Sequence, residues 1–299
     1  MILVVGATGM VGTELCRQLS GMHREVRALV RPTADPAKVH VLREHAVDIQ
    51  VGDLRDRASL ARACEGVDTV ISTVSAMPFS YEPGRNDIET TDRAGQLALI
   101  EEAKAAGVRH FSYLSFSGNL DRDFPLRNAK RDVEAALAAS GLEYTILRPS
   151  CFMEVWLSPA VGFDHPNAKA TIYGDGTGPV GYITVPDVAA YAVASIDAPA
   201  ARNAVLELGG PRPVSQLEAV TIFERALGHP FEVTHVPVEA LDAQVAAASD
   251  PMQASFAGLM RCLADGDPVD MRPVLGAIPR DLTSVETFAA RMAATQPVA

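Results

Sequence analysis

Three glycines, Gly6, Gly9 and Gly12, stand at the spacing that lets a chain fold around an anion. They follow the apolar run Met1-Ile2-Leu3-Val4-Val5, so the segment reads as a strand running straight into a Gly-x-x-Gly-x-x-Gly turn. Gly6 lets the chain leave the strand tightly, Gly9 lacks the Cβ that would block a pyrophosphate, and Gly12 lets the next helix pack closely. Val11, Leu15 and Leu19 mark the apolar face of that helix. Its N-terminus, at Thr8, Met10 and Val11, would offer unpaired N–H groups and a positive dipole end to phosphate. A glycine turn can also be purely structural; the ordered succession of strand, turn and amphipathic helix favours a dinucleotide site.

A second strand is expected over residues 25–31, ending about twenty residues beyond the turn, where the residue facing an adenosine ribose belongs. That position carries Arg31. An acid there would bond the ribose 2′-hydroxyl and repel a 2′-phosphate, whereas a guanidinium can pair with the phosphate, so NADP(H) is favoured over NAD(H). The alternative is an exposed arginine at a strand end.

The elements that must position these residues alternate regularly through the first half. Helices are expected over 35–45, 57–64, 87–106 and 124–140, and strands over 47–51, 68–74, 108–114 and 142–147. Six strands joined by helices imply an α/β fold, a doubly wound parallel Rossmann sheet with ligands at the carboxyl ends of its strands. Residues 150–182 read as irregular, punctuated by Pro159, Pro166, Pro179 and a Gly-rich cluster at 174–178. Regular pattern returns with helices at 185–196, 214–227, 238–248 and 283–292 and a strand at 204–208. The expected organisation is a nucleotide-binding domain over 1–150 and a smaller substrate-binding, capping region over 151–299, with segments near 183–210 packing back on the first domain.

Composition excludes several classes. With 299 residues, 48% of them hydrophobic, the chain can bury a sizeable core. No run of eighteen apolar residues occurs, and the first strand begins at Met1, which leaves no room for a signal peptide; a cytoplasmic protein without a membrane span is the expectation. The net charge of −11 argues against direct nucleic-acid binding, which needs clustered Lys and Arg. Cys16, Cys64, Cys151 and Cys262 are widely spaced with no C-x-x-C pair, so free structural thiols are expected, with neither metal nor disulfide. A small-molecule partner follows, and a homo-oligomer is compatible with the sequence.

Four segments together carry a resemblance: Gly-Ala-Thr-Gly-Met-Val-Gly at 6–12, Val51-Gly52-Asp53-Leu54, Leu147-Arg148-Pro149, and Thr184-Val185-Pro186-Asp187-Val188-Ala189. In these the chain resembles an atypical short-chain dehydrogenase/reductase of the NmrA-like group, over most of its length. That group includes NADPH-dependent quinone, isoflavone and phenylcoumaran benzylic ether reductases, and also regulators that bind the nucleotide without turning it over. The resemblance implies cofactor contacts at Asp53, Leu54, Thr73, Val74 and Ser75, and, past the sixth strand, at Pro149, Cys151 and Phe152. Asp53 could instead be a turn aspartate bonding its own backbone.

Short-chain dehydrogenases usually carry Tyr-x-x-x-Lys on the helix after the fifth strand, where the lysine lowers the tyrosine pKa. Here the segment is Leu126-Arg127-Asn128-Ala129-Lys130: the lysine is present and the tyrosine absent. Lys130 shares a helical face with Val133 and Leu137, which directs its stem toward the sheet. It could bond the nicotinamide ribose, or supply a proton or positive field to charge developing on a substrate; otherwise it would snorkel to solvent. Ser115 and Ser117 match the region of the family serine and could bond substrate, or serve as turn hydroxyls.

Two loops gather apolar side chains beyond strands four and six: Met77, Phe79 and Tyr81, and Phe152, Met153 and Trp156. They would wall a pocket for a flat, conjugated substrate, or, for Trp156, join an interdomain core. The leading expectation is an NADPH-dependent reductase of a quinone, enone or aromatic carbonyl, with Lys130, Ser115 and Ser117 as the catalytic set. The missing tyrosine supports an alternative, an NADP(H)-responsive regulator without turnover. A nucleotide-holding epimerase or dehydratase is a weaker third, since those relatives keep the tyrosine.

Overall fold

The computed structural model describes residues 1–77 and 80–295. Strands β1 (Ile2–Val5), β2 (Val26–Val30), β3 (Asp48–Val51), β4 (Thr69–Ser72), β5 (His110–Leu114) and β6 (Glu143–Pro149) join a strand at Ala204–Leu208 in one seven-stranded sheet. Its order is Ala204–Leu208, β6, β5, β4, β1, β2, β3. The pairs β1·β2, β1·β4, β2·β3, β4·β5 and β5·β6 are all parallel, so the segments that follow these strands share one edge. The chain reverses its winding direction at β1, whose neighbours are β2 and β4, and the glycine turn leaves the carboxyl end of β1 at that switch point.

The helices α1 (Met10–Gly21), α2 (Pro36–Glu44), α3 (Arg57–Cys64), α4 (Gln96–Ala105) and α5 (Pro125–Ala139) connect these strands. Local chemistry sets their ends: Asp35 and Asp56 accept from Ala37 N and Ala58 N as N-caps, and Gly107 and Gly141, at positive φ, turn the chain after α4 and α5. All four residues of β1 are buried. Leu3 and Val5 pack with Val70, Phe111, Ile146, Leu99 and Val133 in one core. Each such side chain removed from water contributes roughly 1.5–3 kcal/mol.

The structure departs from the sequence reading in several places. The sheet has a seventh strand, because Ala204–Leu208 adds beside β6. The helix expected over 87–106 opens as a π-helical stretch, Ile88–Gly95, held by a reciprocal capping box between Asp87 and Thr90. Residues 150–182 are not merely irregular: Lys169–Tyr173 is a strand, flanked by Phe163–Asp164 and by an unanticipated strand at Glu232–Val236. Helices at Pro251–Asp265 and Arg272–Ala277 were also unread.

Two compact units result. The first comprises Met1–Ser115, Pro125–Arg148 and Val188–Leu206; the second comprises Phe116–Phe124, Pro149–Asp187 and the chain from Glu207 onward. The second unit has its own core, in which Phe163 meets Phe223 edge to face at 4.9 Å and Phe288 packs against Phe223. Among the described residues no helix is long and apolar enough to cross a membrane, and no group of three or more His, Cys, Asp or Glu side chains is placed to hold a metal. All four cysteines are free and buried.

Candidate functional site

The glycine turn is built as a close-approach loop. Gly6 has φ of +89°, and a Cβ there would lie 2.8 Å from Thr73 Oγ1. A Cβ on Gly12 would sit 2.1 Å from Gly6 O, so the third glycine is required by the turn's own backbone. Gly9 differs: a Cβ there would meet only Gly6 O, at 3.2 Å, leaving its other side open. Gly9 is also the N-cap of α1; it supplies no side-chain cap, and the first turn, which holds Met10, Val11 and Gly12, contains no acid. Thr8 is half-buried and Met10 exposed. An uncapped helix N-terminus with an open glycine and no competing carboxylate fits a phosphate group. Thr73 Oγ1 donates to Val5 O at 3.2 Å, tying the segment after β4 to the start of the turn; Val74 and Ser75 follow it, half-buried.

Arg31 is exposed, one residue past β2. The segment after β3 brings Asp53 close enough for the Arg31 charge to bear on its carboxylate. Asp53 has a nearer partner in Arg55, whose Nε and Nη2 reach it at 2.9 and 2.8 Å. The Asp53 side chain also accepts from Arg55 N at 2.9 Å, a bond within its own turn. Hydrogen bonds from Arg55 hold its carboxyl below the usual range against the opposing effect of burial. Leu54 is a core residue, packed against α4's neighbour Gly95.

Lys130 does not snorkel to solvent. It is buried on α5, its Nζ donates to Leu114 O at 3.1 Å at the carboxyl end of β5, and it lies 5.2 Å from the centre of the Tyr113 ring. Its counter-ion is Asp92 on the π-helical stretch, fully buried, with Oδ1 3.8 Å from Nζ. Asp92 Oδ2 accepts from Ala76 N at 3.0 Å, while Oδ1 has no hydrogen-bond partner. Burial lowers the Lys130 pKa against the pull of Asp92 and Glu134, and burial raises that of Asp92 against the pull of Lys130. The two shifts run in opposite directions and narrow the gap in proton affinity between the partners. Leu126, where the family tyrosine would stand, is buried and apolar.

The two serines have different surroundings. Ser115 Oγ accepts from Arg131 Nη1 at 3.3 Å, in a cluster where Glu134 takes Arg131 at 2.7 Å and Arg148 Nη2 at 2.5 Å. Burial works to raise the Glu134 pKa, but the bonds from Arg148 and Ser115 and the Arg131 charge hold it low. Ser117, in the second unit, is fully buried and donates to Asp267 at 2.6 Å; Asp267 also accepts from Ser150 at 2.5 Å and Asn119 at 2.9 Å. The Ser117 hydroxyl is thereby committed to a structural bond.

In the second unit Cys151 and Met153 are core residues, and burial pushes the Cys151 thiol well above its ordinary pKa, which leaves it without nucleophilic character. Met153 is fully buried, so the expectation of an open pocket wall there gives way to packing. Pro149 ends β6 and is buried; Phe152 is half-buried and bridges to Ile183. Trp156 is half-buried against the second unit's core. Met77 and Tyr81 are half-buried in the first unit, and Phe79 lies outside the described residues.

Sequence reasoning missed Asp92, Arg55 and the Glu134 cluster. A signal for Asp92 exists: it sits four residues after Ile88 and eight before Ile100 on one buried helical face, where a carboxylate has no solvent to reach.

The fold class is Rossmann-like α/β. The chain belongs to the NmrA-like family, whose model matches residues 1–289. It is similar to an isoflavone reductase homolog of Arabidopsis thaliana, 31% identical over 257 residues covering 80% of this chain and 79% of the relative. It is also similar to the NAD(P)H azoreductase of Xenophilus azovorans, 31% identical over 284 residues covering 94% and 92%. Among solved structures, an NADPH-dependent quinone oxidoreductase of Escherichia coli complexed with NADPH shares the fold with a TM-score of 0.77 at 24% identity, over 98% of this chain and 99% of that one.

Proposed function

We propose that the protein is an NADPH-dependent reductase of a small conjugated or aromatic electrophile, such as a quinone, enone or aromatic carbonyl. The observation that carries this reading is Lys130: a buried ammonium, paired with an acid whose second oxygen is unmet, at the carboxyl edge of the sheet that also bears the glycine turn. Burying a charge is costly unless it is well paired and hydrogen-bonded, and perturbed pairs of this kind gather at reacting centres. Relatives whose names state NAD(P)H-dependent reduction support the reaction class.

The residues fit the cofactor in parts. The turn from Gly6 to Gly12 would hold its pyrophosphate, Arg31 its 2′-phosphate, and the segments at Asp53 and Thr73–Ser75 its adenosine and nicotinamide halves. When bound, the dihydronicotinamide supplies a hydride. Lys130 holds the proton at Nζ that balances it, and its lowered pKa makes that proton easier to give to an oxygen or carbon gaining charge. Asp92 keeps the ammonium in place, and Leu114 O fixes its direction.

The test is NADPH oxidation by the purified protein across a panel of quinones, enones and aromatic carbonyls. Turnover with at least one class is expected. Saturable NADPH binding with no turnover on any member would replace this reading with that of a cofactor-responsive regulator, and the absence of binding would overturn both.

A further inference from the structure

The two oxygens of Asp92 have different neighbours. Oδ1 lies 3.8 Å from Lys130 Nζ, and Oδ2 accepts from the backbone N–H of Ala76 at 3.0 Å. Ser75 adds a side-chain hydrogen bond to the same carboxylate. Asp92 and Ala76 are both fully buried, so the bond between them is sealed from solvent.

Ala76 ends a short segment whose beginning is fastened to the glycine turn. Thr73 N and Thr73 Oγ1 both donate to Val5 O, at 2.9 and 3.2 Å, and a Cβ on Gly6 would come within 3.0 Å of Val74 Cγ2. The chain from Thr73 to Ala76 therefore runs from the turn to Asp92 with a bonded anchor at each end. The same π-helical stretch holds the chain further on: Thr91 Oγ1 donates to Asn86 Oδ1 at 2.9 Å, and Asn86 Nδ2 donates to Ser80 Oγ at 3.0 Å. π-Helical turns are rare and frequently mark functional sites. All of these residues belong to the first unit.

Either task alone would need less than this carboxylate. An amide side chain could accept from Ala76 N without the cost of burying a charge, and a counter-ion for Lys130 needs no bond to the segment after β4. We propose that Asp92 is a positioning residue for NADP(H): its bond to Ala76 fixes the segment from Thr73 to Ala76 in the place that receives the cofactor, and its charge registers Lys130 against that segment. The inference rests on the reading of Thr73, Val74 and Ser75 as cofactor contacts. It adds that this side of the site is set from behind, by a fully buried side chain.

The test compares Asp92→Asn with Asp92→Ala by fluorescence titration of the full chain with NADPH. The Asn amide oxygen can still accept from Ala76 N, so its Kd should stay within about twofold of the unaltered protein, whereas Ala leaves that buried N–H unmet and should bind about tenfold more weakly. The reciprocal effect is read in the unaltered protein and needs no variant to fold. Saturating NADP⁺ should slow hydrogen exchange at the Ala76 amide by about the same tenfold, because an opening that costs affinity becomes rarer by that factor once the cofactor is bound. Unchanged affinity in Asp92→Ala, an equal loss in both variants, or exchange at Ala76 that NADP⁺ does not alter would each overturn the proposal. The readouts are binding and exchange, so the proposal can fail while turnover persists and can hold in a protein that reduces nothing; no NADPH binding at all would overturn it together with the reductase reading.

Discussion

Asp92 Oδ1 lies 3.8 Å from Lys130 Nζ, and both side chains are buried, although one comes from the π-helical stretch before α4 and the other from α5. The gap is wider than a hydrogen bond, so the pair is held by charge, and each partner's charge opposes the shift that burial imposes on the other. Asp92→Asn removes the charge that supports the ammonium, and burial then lowers the Lys130 pKa further. The alkaline limb of the kcat profile should move to lower pH in this variant, with NADPH affinity little changed. An unmoved limb would mean that Asp92 has no hold on the lysine proton.

Gly9 and Gly12 should separate cofactor binding from folding. Gly12→Ala places a methyl 2.1 Å from Gly6 O and should destabilise the protein by several kcal/mol, on the order of 3, seen as a fall in Tm. Gly9→Ala has room in the turn, with Gly6 O at 3.2 Å, so its Tm should stay close to that of the unaltered protein while NADPH binding weakens. Equal thermal losses for the two variants would contradict this assignment of the open side.

Arg31 is exposed and free to meet a 2′-phosphate, whereas Arg55 is engaged by Asp53 through both nitrogens. Arg31→Ala should weaken NADPH by about 10- to 100-fold, the range of a charge-assisted contact, and leave NADH nearly unaffected. Titration calorimetry with both nucleotides checks it; equal losses would refute the phosphate role.

His110 gives the protein an acid-sensitive stability. Its pKa falls from 6.5 to about 4 on folding, so the unfolded chain binds the proton more tightly. The stability that this preference represents is fully present above pH 6.5 and is lost as pH falls toward 4, by about 3 kcal/mol in all. Denaturant midpoints measured across that window should fall less steeply for His110→Gln than for the unaltered protein.

The parts of the site that sequence could reveal are those where geometry leaves little choice. Gly6 and Gly12 are demanded by a positive φ and by a backbone contact within their own turn, and such constraints are local. Lys130 was legible because Val133 and Leu137 fix its helical face. Asp92 has a weaker signal, because an acid in a long helix ordinarily reads as solvated, and its burial comes from the packing of α5 against that stretch and from the segment after β4, whose Ala76 N it bonds. The role of Ser117 depends on Asp267, 150 positions away, which no spacing rule reaches. The strand Glu232–Val236 is largely exposed and lacks an apolar stripe, and the helix Pro251–Asp265 buries mostly small residues, so neither gave a strong period despite the Asp250 cap.

The central claim is that Lys130 supplies the proton that accompanies hydride transfer, and Lys130→Ala tests it most directly. With whichever electrophile the unaltered protein reduces, kcat should fall by about 10²-fold or more, the usual weight of a general acid, while the NADPH Kd measured by fluorescence stays within a few-fold. Unchanged turnover in a folded, NADPH-binding variant would contradict the account.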